Sequence, residues 1–478
     1  MSRFYITTTL PYVNGKPHIG FALEVVQADV MARFHAAIGE EVVFNIGTDE
    51  HGTKIWEKAK EGGITPQEFC DRMSEHFRNL KSLLDISYTN FIRTTDAYHV
   101  KAAQAFWKRC EARGDIYKKN YRAKYCVGCE LEKTDSDLVH GKCPEHPNRK
   151  IEIVEEENYF FRFSNYQAEL LKLYREQSQF VVPEKRLNEI VAFVERGLQD
   201  FSVSRLASKM PWGIPVPGDE EHVMYVWFDA LVNYISTIGW NVNKERFEKF
   251  WPGVQIAGKD NLRQQSAMWQ AMLLSAGLAP SKRILIHGHI TCDGQKMSKS
   301  LGNVVSPEEM IERFGKDGTR YLLLSAAAFG EDIDLSWERM TEKYNADLAN
   351  GLGNLVSRVL KLGEKMKDGI KTEDGRQNME DRLEFPEAFS ELLKQYRLSE
   401  GLECIWNIVR ESNKYIEETK PWELAKTNSE QFETVMRKLL DDLAHIASLL
   451  APFLPETAEK IKTMLKERKG GILFQRIA

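Results

Sequence analysis

The first fifty residues alternate between short apolar runs and one longer helical pattern. Residues 4–10 are rich in β-branched and aromatic side chains, which favours a strand, and residues 41–46 predict a second strand. Between them, a buried helix face is predicted to start after His18 and to end at Gly39. Its apolar positions, three or four residues apart, are Leu23, Val26, Val30, Phe34 and Ile38. A strand, a helix and a strand in this order predict a βαβ unit with parallel strands.

This alternation is interrupted in the middle of the chain and then resumes. Residues 65–68 form a capping box that predicts a helix toward Leu84, and residues 306–309 form a second capping box. Between about 116 and 203 the alternation is lost, so we interpret this segment as an insertion that splits one α/β domain. Strand-like runs return at 223–227, 254–257 and 284–289.

Helical patterns replace the strands after Trp337 and continue to about Lys466. One apolar stripe has helical spacing and comprises Tyr344, Leu348, Leu352, Leu355, Val359 and Leu362. The polar stretch 367–381 predicts a surface loop, and the C-terminal third is therefore predicted to be a helix bundle. The predicted division is 1–115 and 216–295 for the two halves of the α/β domain, 116–215 for the insertion, 296–340 for a connecting region and 341–478 for the bundle.

Composition limits the kinds of partner. The 478 residues include 65 Lys and Arg and 70 Asp and Glu, which leaves a formal net charge of -5. This balance excludes a strong overall positive field, so any nucleic acid must be recognised by a local site. The N-terminus lacks the apolar core of a signal peptide, and no apolar run reaches membrane-spanning length. We therefore expect a cytoplasmic protein that does not bind a membrane.

A cluster of cysteines indicates a metal site. Cys126, Cys129 and Cys143 lie in one short segment, and His146 follows three residues later. Two knuckles of this spacing are typical of tetrahedral zinc, for which three thiolates and one imidazole complete the ligand set. Because a closed set leaves no position for substrate, the zinc would be structural. His140 is an alternative fourth ligand, and free thiols beside an unrelated histidine are the simpler interpretation.

Two short motifs are candidates for phosphate binding. His18 and Gly20 lie where the loop after the first strand enters the first helix, so backbone N–H groups and the helix dipole could bind an anion. Lys296, Ser298 and Lys299 lie in a Lys-Met-Ser-Lys-Ser loop that could bind a polyphosphate. A capping histidine and a solvated loop are the simpler interpretations of each motif alone. Together, in this order, the motifs favour a nucleotide site.

The two motifs resemble the HIGH and KMSKS signatures of the class I aminoacyl-tRNA synthetases. Within that class the chain resembles the methionyl-tRNA synthetases, through TTLPYVNGKPHIG, GTDEHG, YVWFDALVNY, AGKDN, the zinc knuckle and the helical tail. The resemblance implies an α/β fold: a split Rossmann-like catalytic domain with a zinc-bearing insertion and a C-terminal α-helical anticodon-binding bundle. It also implies activation of L-methionine by ATP with Mg²⁺ and transfer to tRNA(Met). Because no further domain is visible after the bundle, we expect a monomer.

The same resemblance implies roles for individual residues. The ATP and reaction site would comprise His18, Gly20, Arg205, Lys259, Asp260, Lys296, Ser298 and Lys299. Asp49 would bind the substrate ammonium as its counter-charge. The rest of the methionine pocket would comprise Leu10, Tyr12, Trp227, Ala230, Leu231, Tyr234, Asn261 and Gln265. Asn354, Arg358 and Trp422 match residues that read a CAU anticodon through base edges and stacking.

Three positions depart from the family pattern. Phe21 replaces the last histidine of HIGH and cannot hydrogen-bond a phosphate. Asn261 and Gln265 stand where the family commonly has an apolar residue and a pocket histidine. These departures leave two alternatives open: a catalytically silent paralogue that binds tRNA or nucleotide, and a class I synthetase for another apolar amino acid.

Overall fold

The computed structural model describes residues 2–129, 131–133, 135–292, 294–296, 305–366, 385–467 and 469–478. Within those ranges, none of the helices combines the length and the apolar character that crossing a membrane would require. The description below refers to these ranges.

A six-stranded parallel sheet forms the centre of the molecule. Its strands are β1 (Arg3–Thr7), β2 (Glu41–Thr48), β3 (Asn90–Arg93), β4 (Val181–Val182), β5 (Val254–Gly258) and β6 (Arg283–His287). They lie in the order β3-β2-β1-β5-β6-β4, with every neighbouring pair parallel. Alternate residues face two separate cores, since Phe4 and Ile6 pack into one and Tyr5 into the other. The predicted α/β fold with parallel strands is confirmed.

The first helix occupies Ile19–Ala37, and Gly39 follows it with a φ of 84°. The left-handed backbone that glycine adopts readily ends the helix as predicted. Leu23, Val26, Val30 and Phe34 of the predicted apolar face are buried and Ile38 is partly buried, but Val25 and Ala28 on other sides of the helix are buried as well. The reason is that the helix lies between the sheet and the segment Pro307–Ser325, whose two helical parts meet at a bend at Gly315. A helix covered on both sides needs no polar face.

The insertion contains an antiparallel sheet of four strands, in the order Leu131–Lys133, Ile116–Cys126, Glu152–Phe161 and Phe201–Ser202. Strand β4, although inside the predicted insertion, joins the edge of the central sheet beside β6. The predicted strand 223–227 is wrong beyond Met224: Asp219–Met224 belongs to a small antiparallel sheet, and a helix begins at Val226. Aromatic and β-branched residues suggested a strand because such residues are often buried in sheets. Here most residues from Val226 to Leu231 are buried as part of a helix.

The described residues of the C-terminal region are mainly helical, as predicted, and the predicted surface loop 367–381 lies outside them. The stripe from Tyr344 to Leu362 forms a π-helical segment, Tyr344–Gly353, continued by an α-helix, Asn354–Gly363. The bundle shares one continuous apolar core with the first helix and the sheet, so the two regions pack directly on each other. The second capping box is present at Ser306, and the first at Thr65.

The remaining helices are Thr53–Glu61, Pro66–Arg78, Leu80–Leu83, Ala97–Ala112, Gln167–Glu176, Glu184–Glu195, Val226–Leu231, Asn233–Ser236, Lys244–Phe250, Trp269–Ser275, Trp337–Lys343, Glu387–Lys394, Leu398–Thr419, Pro421–Thr427, Ser429–Leu450 and Pro455–Glu467. The remaining short strands are Ser204–Leu206, Pro215–Val216, Ile290–Cys292, Gln295–Lys296 and Ile333–Leu335.

Candidate active site

A cleft of about 530 Å³ opens at the carboxyl ends of β1, β2, β5 and β6. Ligands of parallel α/β sheets bind at this edge, where the loops after several strands meet. The cleft is lined by every residue predicted for the methionine pocket and by three predicted for ATP: Leu10, Tyr12, His18, Gly20, Asp49, Trp227, Ala230, Leu231, Tyr234, Asp260, Asn261 and Gln265. These residues are far apart in the chain and meet only because the sheet aligns its strand ends.

His18 caps the first helix at the edge of the cleft. Its Nδ1 atom accepts a hydrogen bond from the backbone N–H of Phe21 at 3.3 Å. A Cβ atom at Gly20 would lie 2.9 Å from that same Nδ1, so glycine allows the imidazole to lie against the helix start. Phe21 is buried and packs edge-on against Phe77 with ring centroids 5.8 Å apart. Phe21 therefore contributes an apolar wall where the family pattern has a histidine.

Glu24 and His287 form a buried pair in the cleft that the sequence analysis did not identify. The Glu24 carboxylate accepts hydrogen bonds from the N–H and hydroxyl of Thr9 at 2.6 and 2.7 Å, and His287 Nε2 lies 3.0 Å from its other oxygen. Burial opposes the charged imidazole, but the hydrogen bond and charge of Glu24 outweigh it and raise the pKa of His287 above its ordinary value. The signal available in the sequence was a glutamate inside an otherwise apolar helix face.

The loop after β2 brings Asp49 into the cleft and is held by the two residues that follow. Asp49 is 4% exposed. The carboxylate of Glu50 is fully buried and accepts hydrogen bonds from the Thr48 hydroxyl and from Arg93 Nε at 2.8 and 2.7 Å. His51 Nδ1 lies 2.6 Å from Asp229, on the helix Val226–Leu231. The Asp49 loop is therefore connected to the helix that forms the opposite wall.

The aromatic wall of the cleft comes from two short consecutive helices. Trp227, Ala230 and Leu231 lie on the first and Tyr234 lies on the second, and all four line the cleft. Leu231 and Tyr234 also belong to a buried apolar core, so these residues pack the domain and at the same time form one wall of the cleft. Aromatic and aliphatic walls suit a flexible thioether. Gln265, in the π-helical segment Gln264–Met268, donates from Nε2 to the Tyr234 hydroxyl oxygen at 2.7 Å.

Asp260 and Lys259 follow β5 but have different positions. Asp260 lines the cleft and lies 2.7 Å from His289 Nε2. Lys259 instead pairs with Asp332 at 2.6 Å and is not among the residues that line the cleft.

Arg205 also lies outside the cleft lining. Its Nη1 atom donates to the Ser202 hydroxyl and to the Ser204 carbonyl at 2.8 and 2.7 Å. Its guanidinium lies 4.4 Å from the ring centre of Tyr225. Arg205 therefore lies beside Ser202, Ser204 and Tyr225 and not in the cleft lining that contains His18 and Gly20.

The lysine-bearing loop is described only at its two ends, because Ser298 and Lys299 lie outside the described residues, as does the side chain of Lys296. The backbone of Lys296 pairs with Thr291, next to Ile290 of the cleft lining. At the other end, the carbonyl of Val305 accepts a hydrogen bond from Ile19 N–H at 3.2 Å, at the start of the first helix. The Val305 end of the loop thus lies beside the start of the first helix, and the Lys296 end lies next to the cleft lining at Ile290.

The predicted metal ligands form a compact cluster. Cys126, Cys129 and Cys143 Sγ and His146 Nδ1 all lie within 4.8 Å of one another. Individual separations are 3.4 Å between the Cys129 and Cys143 sulfurs and 3.3 Å from Cys129 to the imidazole. A tetrahedral zinc requires about 3.8 Å between sulfurs and about 3.6 Å between sulfur and nitrogen, as follows from its bond lengths. The donor set therefore fits zinc.

His146 rather than His140 completes this cluster. His140 is exposed. The knuckle also needs a glycine, because a Cβ atom at Gly128 would lie 2.4 Å from the ring of His146. The carbonyl of Gly128 accepts a hydrogen bond from Lys54 Nζ at 2.8 Å, which attaches the knuckle to the catalytic domain.

The three residues predicted to read an anticodon lie on one side of the bundle. Arg358 Nη2 lies 2.8 Å from Glu417, and its guanidinium is 5.9 Å from the ring centre of Trp422. Asn354 is exposed one helical turn before Arg358. Trp422 is partly buried, so one part of its indole packs on the bundle while another part reaches solvent. The arrangement is suited to stacking a base and reading its edge.

The structure thus combines a parallel sheet with a strand-end cleft, a compact cluster of metal-ligating residues and a C-terminal helix bundle. The model of the family described as tRNA synthetases class I (M) matches residues 4–360, and that of the anticodon binding domain of methionyl tRNA ligase matches residues 364–472. The fold and the cleft are therefore those of a class I aminoacyl-tRNA synthetase.

The relatives narrow this class to one family. Methionine–tRNA ligase of Thermotoga maritima is 42% identical over 471 residues, which cover 96% of this chain and 74% of the relative. The enzyme of the same name from Caldanaerobacter subterraneus is 44% identical over 99% of this chain and 79% of its own length. Mycobacterium tuberculosis methionyl-tRNA synthetase in complex with methionyl-adenylate superposes with a TM-score of 0.90 at 37% identity, over 97% of this chain and 94% of that one. The chain belongs to the methionyl-tRNA synthetase family.

Proposed function

We propose that the protein is a methionine–tRNA ligase that activates L-methionine with ATP and transfers it to tRNA(Met) with a CAU anticodon. The observation that carries this function is the single cleft in which the helix start at His18, the carboxylate of Asp49 and the aromatic wall around Tyr234 face one another. An anion site, a cation site and an apolar pocket at the same place fit ATP, an α-ammonium group and an apolar side chain.

In the first reaction an oxygen of the methionine carboxylate attacks the α-phosphorus of ATP. The new oxygen–phosphorus bond forms while the bond to the β-phosphate oxygen breaks, and pyrophosphate leaves. This transfer requires little acid or base chemistry, so the protein contributes mainly position and charge. Asp49 would hold the ammonium, His18 and the backbone at Gly20 would contact the phosphates, and Mg²⁺ held mostly by phosphates and water would accompany ATP.

Lys296, Ser298 and Lys299 would close over the triphosphate and balance the charge that develops on pyrophosphate. Asp260 would bind the ribose from the cleft rim. Lys259 and Arg205 are held elsewhere by Asp332 and by Ser202, so each would have to exchange these partners for substrate. In the second reaction a hydroxyl of the terminal ribose of tRNA attacks the aminoacyl carbonyl, and AMP leaves.

Two sites outside the cleft support the transfer to tRNA. Zinc held by Cys126, Cys129, Cys143 and His146 would fix the fold of the knuckle, because four protein ligands leave no open position. Asn354 and Arg358 would read base edges while Trp422 stacks a base of the anticodon, which selects tRNA(Met) independently of the amino-acid pocket.

Two assays test the proposal and its alternatives. Methionine-dependent exchange of labelled pyrophosphate into ATP should be strong; a catalytically silent paralogue would give none above background. Charging should then be compared across the apolar amino acids with a transcript that carries a CAU anticodon and with one in which only the anticodon is changed. We expect charging with methionine to be at least about 100-fold more efficient on the first transcript than on the second. This factor is on the order of the discrimination that loss of two or more base contacts produces. Preferential charging of another apolar amino acid would contradict the proposed substrate.

A further inference from the structure

A line of buried polar side chains runs behind the amino-acid pocket to the hydroxyl of Tyr234. Its members are Ser281, Gln270, Gln255 and Gln265, and none is more than 3% exposed. They come from the turn before β6, the helix Trp269–Ser275, strand β5 and the π-helical segment. Buried amides and hydroxyls are costly unless each is paired, so a set of this kind in one place has a definite arrangement of donors and acceptors.

The direction of every bond in this line follows from one fixed backbone donor. The N–H of Ser281 donates to the Gln270 side-chain oxygen at 2.9 Å, so the Gln270 amide nitrogen must face the other way. That nitrogen donates to the carbonyl of Gln265 at 2.7 Å and to the Ser281 hydroxyl oxygen at 3.1 Å. The hydroxyl of Ser281 must then use its own proton elsewhere, and it donates to the Gln255 side-chain oxygen at 2.5 Å.

The remaining two hydrogen bonds also donate in the direction of Tyr234. The Gln255 amide nitrogen lies 3.4 Å from the Gln265 side-chain oxygen and can only donate to it. The Gln265 amide nitrogen therefore faces Tyr234 and donates to its hydroxyl oxygen at 2.7 Å. Because an amide nitrogen cannot accept a hydrogen bond, the hydroxyl proton of Tyr234 must point away from Gln265. Tyr5 fixes the residue further, since its hydroxyl donates to the Tyr234 carbonyl at 2.7 Å.

We propose that Gln255, Gln270 and Ser281 are positioning residues that act through Gln265 to make the Tyr234 hydroxyl a hydrogen-bond donor toward the substrate side chain. This inference rests on the proposed function, because the cleft must bind an amino acid for the donor to have a target. A thioether sulfur accepts a weak hydrogen bond, whereas a methylene group at the same position cannot. The line of amides thus favours methionine over a side chain of equal shape without sulfur.

The substitution Gln265→Glu reverses only the last bond of the line. An ionised carboxylate of the same shape still accepts from Gln255, but it also accepts from Tyr234, whose proton then turns away from the pocket. Pyrophosphate exchange should be measured at pH 8 with methionine and with norleucine, which has a methylene in place of sulfur. We expect the ratio of kcat/KM for methionine over norleucine to fall about three- to tenfold, the range for one net hydrogen bond.

Two further variants make the result specific. Ser281→Ala interrupts the line at a distance from the pocket and should lower the same ratio by a smaller factor, with Tyr234 and Gln265 unchanged. Gln264→Glu is the control, because it places a carboxylate one position earlier in the same buried π-helical segment but outside the cleft lining. It should leave the methionine-to-norleucine ratio within about twofold of the wild-type value. Melting curves by circular dichroism identify any variant that does not fold, so each ratio is read from folded protein.

The possible outcomes distinguish a failure of this inference from a failure of the proposed function. A reduced ratio in Gln265→Glu and Ser281→Ala but not in Gln264→Glu supports the positioning role. An unchanged ratio in folded Gln265→Glu, or an equal loss in Gln264→Glu, overturns it while the ligase activity stands. Absence of methionine-dependent exchange in the wild type overturns the proposed function itself, and the inference with it.

Discussion

Arg320 joins the catalytic domain to the helix bundle and should be one of the most sensitive positions for stability. Its guanidinium is fully buried and lies 2.8 Å from Asp29, which is fully buried on the first helix. It also donates to the carbonyls of Phe453 and Pro452, at the end of a bundle helix, at 2.7 and 3.2 Å, and to the carbonyl of Leu84 at 3.0 Å. This side chain thus contacts segments that each lie more than 130 residues away from it in the chain.

The substitution Arg320→Met keeps much of the side-chain length but removes all four partners. Removing one member of a buried ion pair costs about 3–5 kcal/mol, because the other charge loses its buried counter-charge. In Arg320→Met the remaining counter-charge of Asp29 is the partly exposed Arg33. Burial opposes ionisation of Asp29, and Arg320 together with Arg33 and Ser87 outweighs it and holds the pKa of Asp29 below its ordinary value. Since a lowered pKa stabilises the fold above the ordinary value of 3.8, the loss should be full at neutral pH and should shrink as the pH falls below that value.

Urea unfolding at pH 7 measures this loss, and Arg33 provides the control. Arg33 binds the same carboxylate at 2.8 Å, but its side chain is 23% exposed while that of Arg320 is fully buried, so Arg33→Met should cost clearly less than Arg320→Met. The double variant Asp29→Asn/Arg320→Met should cost less than the sum of the two single variants, because it removes both fully buried charges together and leaves neither of them without the other. If Arg320→Met destabilises the protein no more than Arg33→Met does, the proposed role of the buried ion pair is wrong.

Three further predictions concern other sites. Cys126→Ala, or treatment with a chelator, should release close to one zinc per chain, as mass spectrometry would show. Loss of the metal should also make the insertion sensitive to protease. Unchanged metal content in Cys126→Ala would refute the ligand assignment. Glu24→Gln should lower the pKa of His287, as an NMR titration of the imidazole would show. Because the raised pKa stabilises the fold below the ordinary value of 6.5 and this contribution is lost as pH rises through the folded-state pKa, the wild type should lose its advantage over Glu24→Gln with rising pH. Trp422→Ala should raise the KM for tRNA about tenfold, on the order of one lost base stack, without changing methionine-dependent pyrophosphate exchange; an equal effect on exchange would indicate misfolding instead.

The sequence predicted the elements whose signals are local. The helix end at Gly39 and both capping boxes depend on neighbouring residues, and the parallel strands follow from the order of strand and helix patterns along the chain. All of these are present in the structure. The composition of the cleft was predicted through motif resemblance, and the structure brings those residues to one sheet edge. The run 223–227 was misassigned because a β-rich composition reports burial and not backbone conformation.

The position of Arg205 could not be predicted because it depends on competition between partners. The sequence places Arg205 near the reaction only by resemblance, whereas in the structure Ser202, the Ser204 carbonyl and Tyr225 satisfy its guanidinium. An arginine with partners already in place must lose them before it can bind a phosphate, and the free energy of that exchange is a property of the folded site. Spacing along the chain contains no information about it.

Polar residues inside apolar patterns were the signal that could have revealed the remaining partners. Asp29 interrupts the buried helix, Arg320 precedes an apolar run, and Gln255 stands in the middle of the apolar strand β5. Burial without a partner would cost each of these groups several kcal/mol, so their positions alone require that a partner exists. Each of these groups has a partner far away in the chain: Arg320 for Asp29, Phe453 for Arg320 and Ser281 for Gln255. A sequence can therefore indicate which buried groups must be paired, but the direction of each hydrogen bond, and with it the donor offered to a substrate, is set only when the distant segments have come together.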